Sequence, residues 1–69
     1  MNYKKYTAKY KGRLFVIEED NPDVGFNLFI YENGKCIRDY LESSLISAKE
    51  LANEEFGVPI DIWMLEADK

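Results

Sequence analysis

A chain of 69 residues has room for one domain, spanning 1–69, and for one thin core. Its 46% apolar and 32% charged residues are the balance of a folded chain rather than a disordered one. It holds no histidine and one cysteine, Cys36; that excludes an internal disulfide and a multi-cysteine metal site and removes the commonest general base and metal ligand.

The expectation is a non-enzyme with no cofactor in a reducing, cytoplasmic setting. No apolar run approaches the ~20 residues of a membrane span, and Met1–Lys5 is charged with no apolar stretch behind it, so no signal peptide is expected. Charge is uneven. Residues 1–13 carry five basic side chains and no acid, whereas residues 14–69 carry four basic and thirteen acidic ones, for a net charge of −4. The first segment's cations are therefore expected to face the acidic remainder or a partner.

From Tyr3 to Tyr10 the chain alternates, with Tyr6, Ala8 and Tyr10 on one side and Lys5, Thr7 and Lys9 on the other. That period of two predicts a half-exposed strand. Lys11-Gly12 predicts a tight turn into Arg13–Glu18, which is apolar on both parities, as a strand covered on both faces would be. Glu19–Gly25 reads as an acidic loop punctuated by Pro22. Its carboxylates lack the alternating spacing of an EF-hand, so no calcium site is expected.

Phe26–Glu32, Asn33-Gly34 and Lys35–Leu41 predict a β-hairpin on a type I′ turn, because both central residues of such a turn need positive φ. A two-residue loop sets the expected register: Tyr31 opposite Cys36, Ile30 opposite Ile37, Phe29 opposite Arg38, Leu28 opposite Asp39 and Phe26 opposite Leu41. One face then carries Phe26, Leu28, Ile30, Ile37 and Leu41, and the other Phe29, Tyr31, Cys36 and Tyr40 with Asn27 and Arg38. Asp39 is the misfit on the aliphatic face and is expected at a sheet end near the helix N-terminus.

Leu45, Ala48, Leu51, Ala52 and Phe56 recur at helical spacing, predicting a helix from about Ser44 to Phe56 with Ser43 or Ser44 as cap. Gly57, Val58 and Pro59 form a clear stop. Ile60–Glu66 alternates and predicts a last strand, with a helical turn after Pro59 as the competing reading. The order β-β-β-β-α-β gives an α+β fold, an antiparallel-rich sheet of four to five strands with one helix on one face.

A single helix covers one face of a sheet, and Phe15, Ile17, Phe29, Tyr31, Tyr40 and Trp63 fall on parities that place many of them on the other. Phe15, Phe29, Tyr31, Arg38, Tyr40 and Trp63 form the expected interaction surface, since Tyr, Trp and Arg are the residues favoured at interface cores. A second copy of the chain, packed sheet on sheet, is the simplest partner, and another protein the next. The alternative is single-stranded nucleic acid bound by Tyr3, Tyr6 and Tyr10 interleaved with Lys4, Lys5, Lys9, Lys11 and Arg13, which the sequence pI near 4.7 disfavours. Cys36 lacks a base for nucleophilic work and reads as a small packed side chain.

The passage Leu41-Glu42-Ser43-Ser44-Leu45-Ile46-Ser47-Ala48-Lys49-Glu50-Leu51-Ala52, a strand running into a Ser-led helix with Ala at four-residue spacing, resembles HicB-type antitoxin domains and similar small bacterial hairpin-helix modules. The resemblance covers about a quarter of the chain. The Pro-Gly-Cys stretch typical of that family has no counterpart, Cys36 standing in Gly34-Lys35-Cys36-Ile37 instead. The resemblance implies shape; the most concrete form of the interaction reading is an acidic partner for a basic protein, as in an antitoxin or immunity protein, steered by the acidic loop and outward Glu50, Glu54 and Glu55.

Overall fold

Two hairpins with the same turn chemistry organise the sheet. The computed structural model describes residues 4–21 and 24–66, so Tyr3, Pro22 and Asp23 lie outside the described residues. Strand β1 (Lys5–Tyr10) meets β2 (Arg13–Glu19) through Lys11-Gly12, and β3 (Phe26–Glu32) meets β4 (Lys35–Glu42) through Asn33-Gly34. All four loop residues have positive φ, at 51°, 80°, 54° and 79°. This is the turn whose twist matches that of the flanking strands.

Helix α1 (Leu45–Phe56) follows, then a 3-10 turn (Ile60–Ile62) and β5 (Met64–Glu66). The sheet is antiparallel in the order β4-β3-β2-β1-β5, which places β2 at its centre. The fold is α+β. The two readings of Ile60–Glu66 are both partly realised, because Pro59 leads into one helical turn and only the last three residues join β1.

The helix boundaries follow from their caps. Ser44 is extended, and its Oγ accepts from the Ser47 amide at 3.1 Å. At the other end Gly57 adopts φ 78°, its amide donating to the Asn53 carbonyl at 2.9 Å while the Val58 amide donates to the Ala52 carbonyl at 3.3 Å. This is a left-handed αL stop, the Gly57 amide making the motif's one bond, and Val58 behind it is fully buried.

Ala48 and Ala52, both fully buried, bring α1 close onto Phe15, Ile17, Leu28 and Ile30. Trp63 packs edge-on to Phe15 at 6.5 Å between ring centroids, and Phe56 lies at 5.5 Å from it. Phe15 is thus the centre of the core, not part of an exposed surface.

The second hairpin departs from the expected register in one informative way. Tyr31 opposes Cys36 as the turn dictates, but Ile30 opposes Arg38, Leu28 opposes Tyr40 and Phe26 opposes Glu42. Ile37 is an extra residue, a β-bulge, so every side chain beyond it changes face relative to the simple two-residue hairpin. The bulge resolves the Asp39 misfit. Asp39 lies mid-strand opposite Phe29, exposed on the face away from α1, and not at a sheet end beside the helix. Tyr40 turns inward against the core, and Leu41 turns outward, 57% exposed. Ile37 still packs on the core from the bulge.

Gly25 fixes where β3 begins. Its φ is 112°, and a methyl group there would run into the carbonyl oxygen of Glu42. The acidic loop before it closes on itself, the Asp20 amide donating to the Gly25 carbonyl at 2.8 Å and Asn27 Nδ2 donating to Asp20 Oδ2 at 3.2 Å.

Candidate interaction surface on the open face

Cross-strand register sets three rows of side chains on the face that α1 leaves bare. The first row is Leu41, Asn27, Glu18, Lys5 and Glu66, the second Asp39, Phe29, Val16, Thr7 and Met64, and the third Cys36, Tyr31, Leu14 and Lys9. Leu14, Phe29 and Tyr31 are half-buried, while Val16 at the centre of the sheet is only 4% exposed. The Phe29 and Tyr31 rings lie 6.5 Å apart. Met64 is 70% exposed at the β5 margin. These side chains form one apolar patch across β2 and β3, flanked by Lys5 and Lys9 on β1 and by Asp39 on β4.

The pattern has a local cause. β2 carries apolar residues on both parities, so Phe15 and Ile17 go to the helix side and Leu14 and Val16 to the other. Glu18, on the parity of Leu14 and Val16, marks that side as the solvent-facing one. The open face therefore carries Leu14 and Val16, while Phe15 and Ile17, on the opposite parity, lie under the helix. Tyr31, Leu14, Val16, Lys5 and Glu18 line a shallow depression of about 330 Å³ with the Asn33-Gly34 turn at its rim.

Of the six residues expected on the interaction surface, the structure brings two together there, Phe29 and Tyr31. Phe15 is 1% exposed beneath α1, and Trp63 packs against it. Tyr40 turns to the core because of the bulge. Arg38 is exposed but shares the parity of Ile30, and its Nη1 donates to the Ile37 carbonyl at 3.0 Å.

The basic first segment is divided between the faces. Tyr6 and Tyr10 pack on the core side, with Lys49 Nζ 5.6 Å from the Tyr6 ring centre and Lys11 Nζ 5.4 Å from that of Tyr10. Lys5 and Lys9 point the opposite way. The tyrosines and lysines of β1 therefore do not share a face, and those tyrosine rings already have cations of this chain over them. Arg13 is tied to Glu32 at 2.8 Å and lies over the Phe56 ring at 5.7 Å.

Among the described residues no group of three or more His, Cys, Asp or Glu side chains is placed to share a metal ion. Cys36 is exposed in the bulged strand, its thiol donating to the Arg38 carbonyl at 3.3 Å. No helix among the described residues is long and apolar enough to cross a membrane. Comparison of the chain with protein-family models, curated proteins and solved structures gives no match.

Proposed function

We propose that this chain is a non-enzymatic protein-interaction module, working in a reducing cytoplasmic setting, whose working surface is the open face of the sheet. The observation that carries this reading is the patch of Leu14, Val16, Phe29 and Tyr31 on the side without a helix. Contiguous apolar and aromatic surface on so small a chain is the mark of a face that meets protein.

The aromatic patch could also serve unpaired bases, since an exposed sheet with two aromatic rings is a stacking platform. The charges around it disfavour that. Lys5 and Lys9 share the face with Glu18, Asp39 and Glu66, so phosphate meets more carboxylates than cations. Glu50, Glu54 and Glu55 are exposed on α1, away from the patch, and are free to steer a basic second partner of the kind that an antitoxin or immunity protein engages.

A photocrosslinking amino acid placed at Phe29, with Ile46 on the outer side of α1 as control, tests the reading in living cells. The expected result is a protein adduct from position 29 and none from position 46. Adducts to nucleic acid, or protein adducts from position 46 alone, would overturn it.

A further inference from the structure

We propose that Asn33 is a site of spontaneous covalent modification: its side-chain amide is lost through a cyclic imide formed with Gly34, leaving mainly isoaspartate at the tip of the second hairpin. The co-reactant is water, and no enzyme is required.

The chain has five asparagines, and their surroundings set one apart. Asn2 lies outside the described residues. Asn21 precedes Pro22, which has no amide N–H to act as nucleophile. Asn27 stands within β3, its Nδ2 donating to Asp20 Oδ2 at 3.2 Å. Asn53 stands within α1, its Nδ2 donating to the Val58 carbonyl at 3.0 Å. Asn33 precedes a glycine and is exposed, and its carboxamide makes no hydrogen bond within the described residues.

Gly34 supplies the nucleophile. The closing pair of this turn is Glu32 with Lys35, so the Gly34 amide stands outside the ladder. Its surroundings are open, a methyl group there meeting nothing within 4 Å. A solvent base takes the Gly34 amide proton and the nitrogen attacks Cγ of Asn33. The Cγ–Nδ2 bond breaks and ammonia leaves. Water then opens the imide. Addition at Cγ gives aspartate; addition at the former peptide carbonyl carbon gives isoaspartate, whose main chain runs through Cβ.

The fold sets how readily the ring closes. With φ of 54° and 79° the turn is held in its type I′ state, and the Gly34 nitrogen reaches Cγ only when the Asn33 Cα–C bond rotates out of it. The tip is held by little. Between the turn and the bulge at Ile37, β4 pairs with β3 only through Glu32–Lys35 and Tyr31–Cys36. β4 is an outermost strand, with Lys35 and Cys36 both exposed. Two pairs at a sheet margin open without the rest of the domain. The first hairpin is the internal contrast, since Lys11-Gly12 has the same turn conformation and no side-chain carbonyl to attack.

The product reaches the open face. Asn33 and Gly34 rim the depression lined by Leu14, Val16 and Tyr31. A loop whose two residues set the register has no place for an added main-chain atom, so the Glu32–Lys35 closing pair is lost. A new carboxylate also arrives at that rim.

Incubation of the full chain at mildly alkaline pH, followed by ion-exchange separation and peptide mapping, tests the proposal. The expected result is a species of net charge −5 in place of −4, changed at residue 33 and methylated there by an isoaspartyl methyltransferase. Asn33→Gly keeps a residue pair suited to the turn, checked by native circular dichroism, and is expected to form no such species. Urea at concentrations that leave the circular dichroism native is expected to change the wild-type rate by less than about twofold, because opening the tip exposes little surface. In NMR spectra of the separated acidic species the signals of Tyr31 and Cys36 are expected to move and those of Ala48 and Ala52 to stay.

A first acidic species mapped to Asn27 or Asn53 would overturn the proposal. So would a native chain that forms none while the urea-unfolded chain forms one at Asn33. A rate that climbs with urea in step with global unfolding would overturn tip opening as the route, and an unmoved Tyr31 signal would overturn the effect on the open face.

Discussion

The two faces of this sheet are built by the same strands and differ in what covers them. On the helix side Phe15, Ile17, Leu28 and Ile30 are sealed to 1% exposure or less by two alanines, Val58 and a rim of aromatic rings. On the open side only Val16 is comparably hidden, and Leu14, Phe29 and Tyr31 stop half-way. The open side sets these apolar side chains among Lys5, Lys9, Thr7, Glu18 and Asp39, a mixed surface where the helix side is uniformly apolar. The difference separates residues that make the fold from residues proposed above to meet a partner.

The largest effect expected is at Phe15. Phe15→Ala removes the ring around which Phe56 and Trp63 pack and is expected to cost about 3–5 kcal/mol in chemical denaturation. Phe29→Ala, measured at concentrations where the chain is monomeric, is expected to cost no more than about 1.5 kcal/mol. Equal losses would erase the distinction between the faces.

The bulge supplies a sharper version of the same test, because it decides which residue belongs to which side. Tyr40→Ala is expected to lose about 2 kcal/mol of burial on the core side, whereas Asp39→Asn, in an exposed position on the open side, is expected to change stability by less than about 0.5 kcal/mol. The reverse ranking would return the hairpin to the unbulged register.

Trp63 sharpens the account of the helix side at its edge. Its Nε1 is buried without an acceptor among the described residues, and a buried donor left unmet costs about 1–3 kcal/mol. Trp63→Phe is expected to fall within about 1 kcal/mol of wild type because removing that donor offsets the lost ring area, while Trp63→Ala is expected to lose about 3 kcal/mol in the same denaturation assay. A small gain is available at the turn away from both faces. Lys11 holds φ 51° without the local hydrogen bonding that suits Asn to it, so Lys11→Asn is expected to raise the melting temperature by a gain of about 0.5 kcal/mol.

Much of this arrangement is legible in the residues. The Lys11-Gly12 and Asn33-Gly34 turns, the alternation of β1, the Ser44 cap and the Gly57-Val58-Pro59 stop are local chemistry, and local chemistry places them correctly. The bulge at Ile37 is not local. It arises because Tyr40 gains burial by facing the core while Asp39 gains water by leaving it, a trade that no turn rule contains; the misfit at Asp39 was its only trace.

The make-up of the open face was half legible, Phe29 and Tyr31 lying there as expected, and the β2 residues were not, for a related reason. Parity shows that Phe15 and Ile17 oppose Leu14 and Val16 but not which pair the helix will choose. Glu18 on the parity of Leu14 and Val16 was the available signal. Of the strand expected over Ile60–Glu66, β5 realises the last three residues, which pair with β1 after the 3-10 turn that Pro59 leads into.

The central claim is that the helix side holds the monomer together and that the open side is the proposed interaction surface, with a second copy of the chain as its simplest partner. Methyl and amide NMR spectra recorded while the protein is diluted from about 1 mM, near the weak-binding range of a small interface, test it residue by residue. The account predicts concentration-dependent shifts at Leu14, Val16, Phe29 and Tyr31, with the signals of Ile17, Leu28 and Ile30 unmoved. Spectra invariant to dilution, or shifts confined to the outer side of α1 around Ile46, would contradict it.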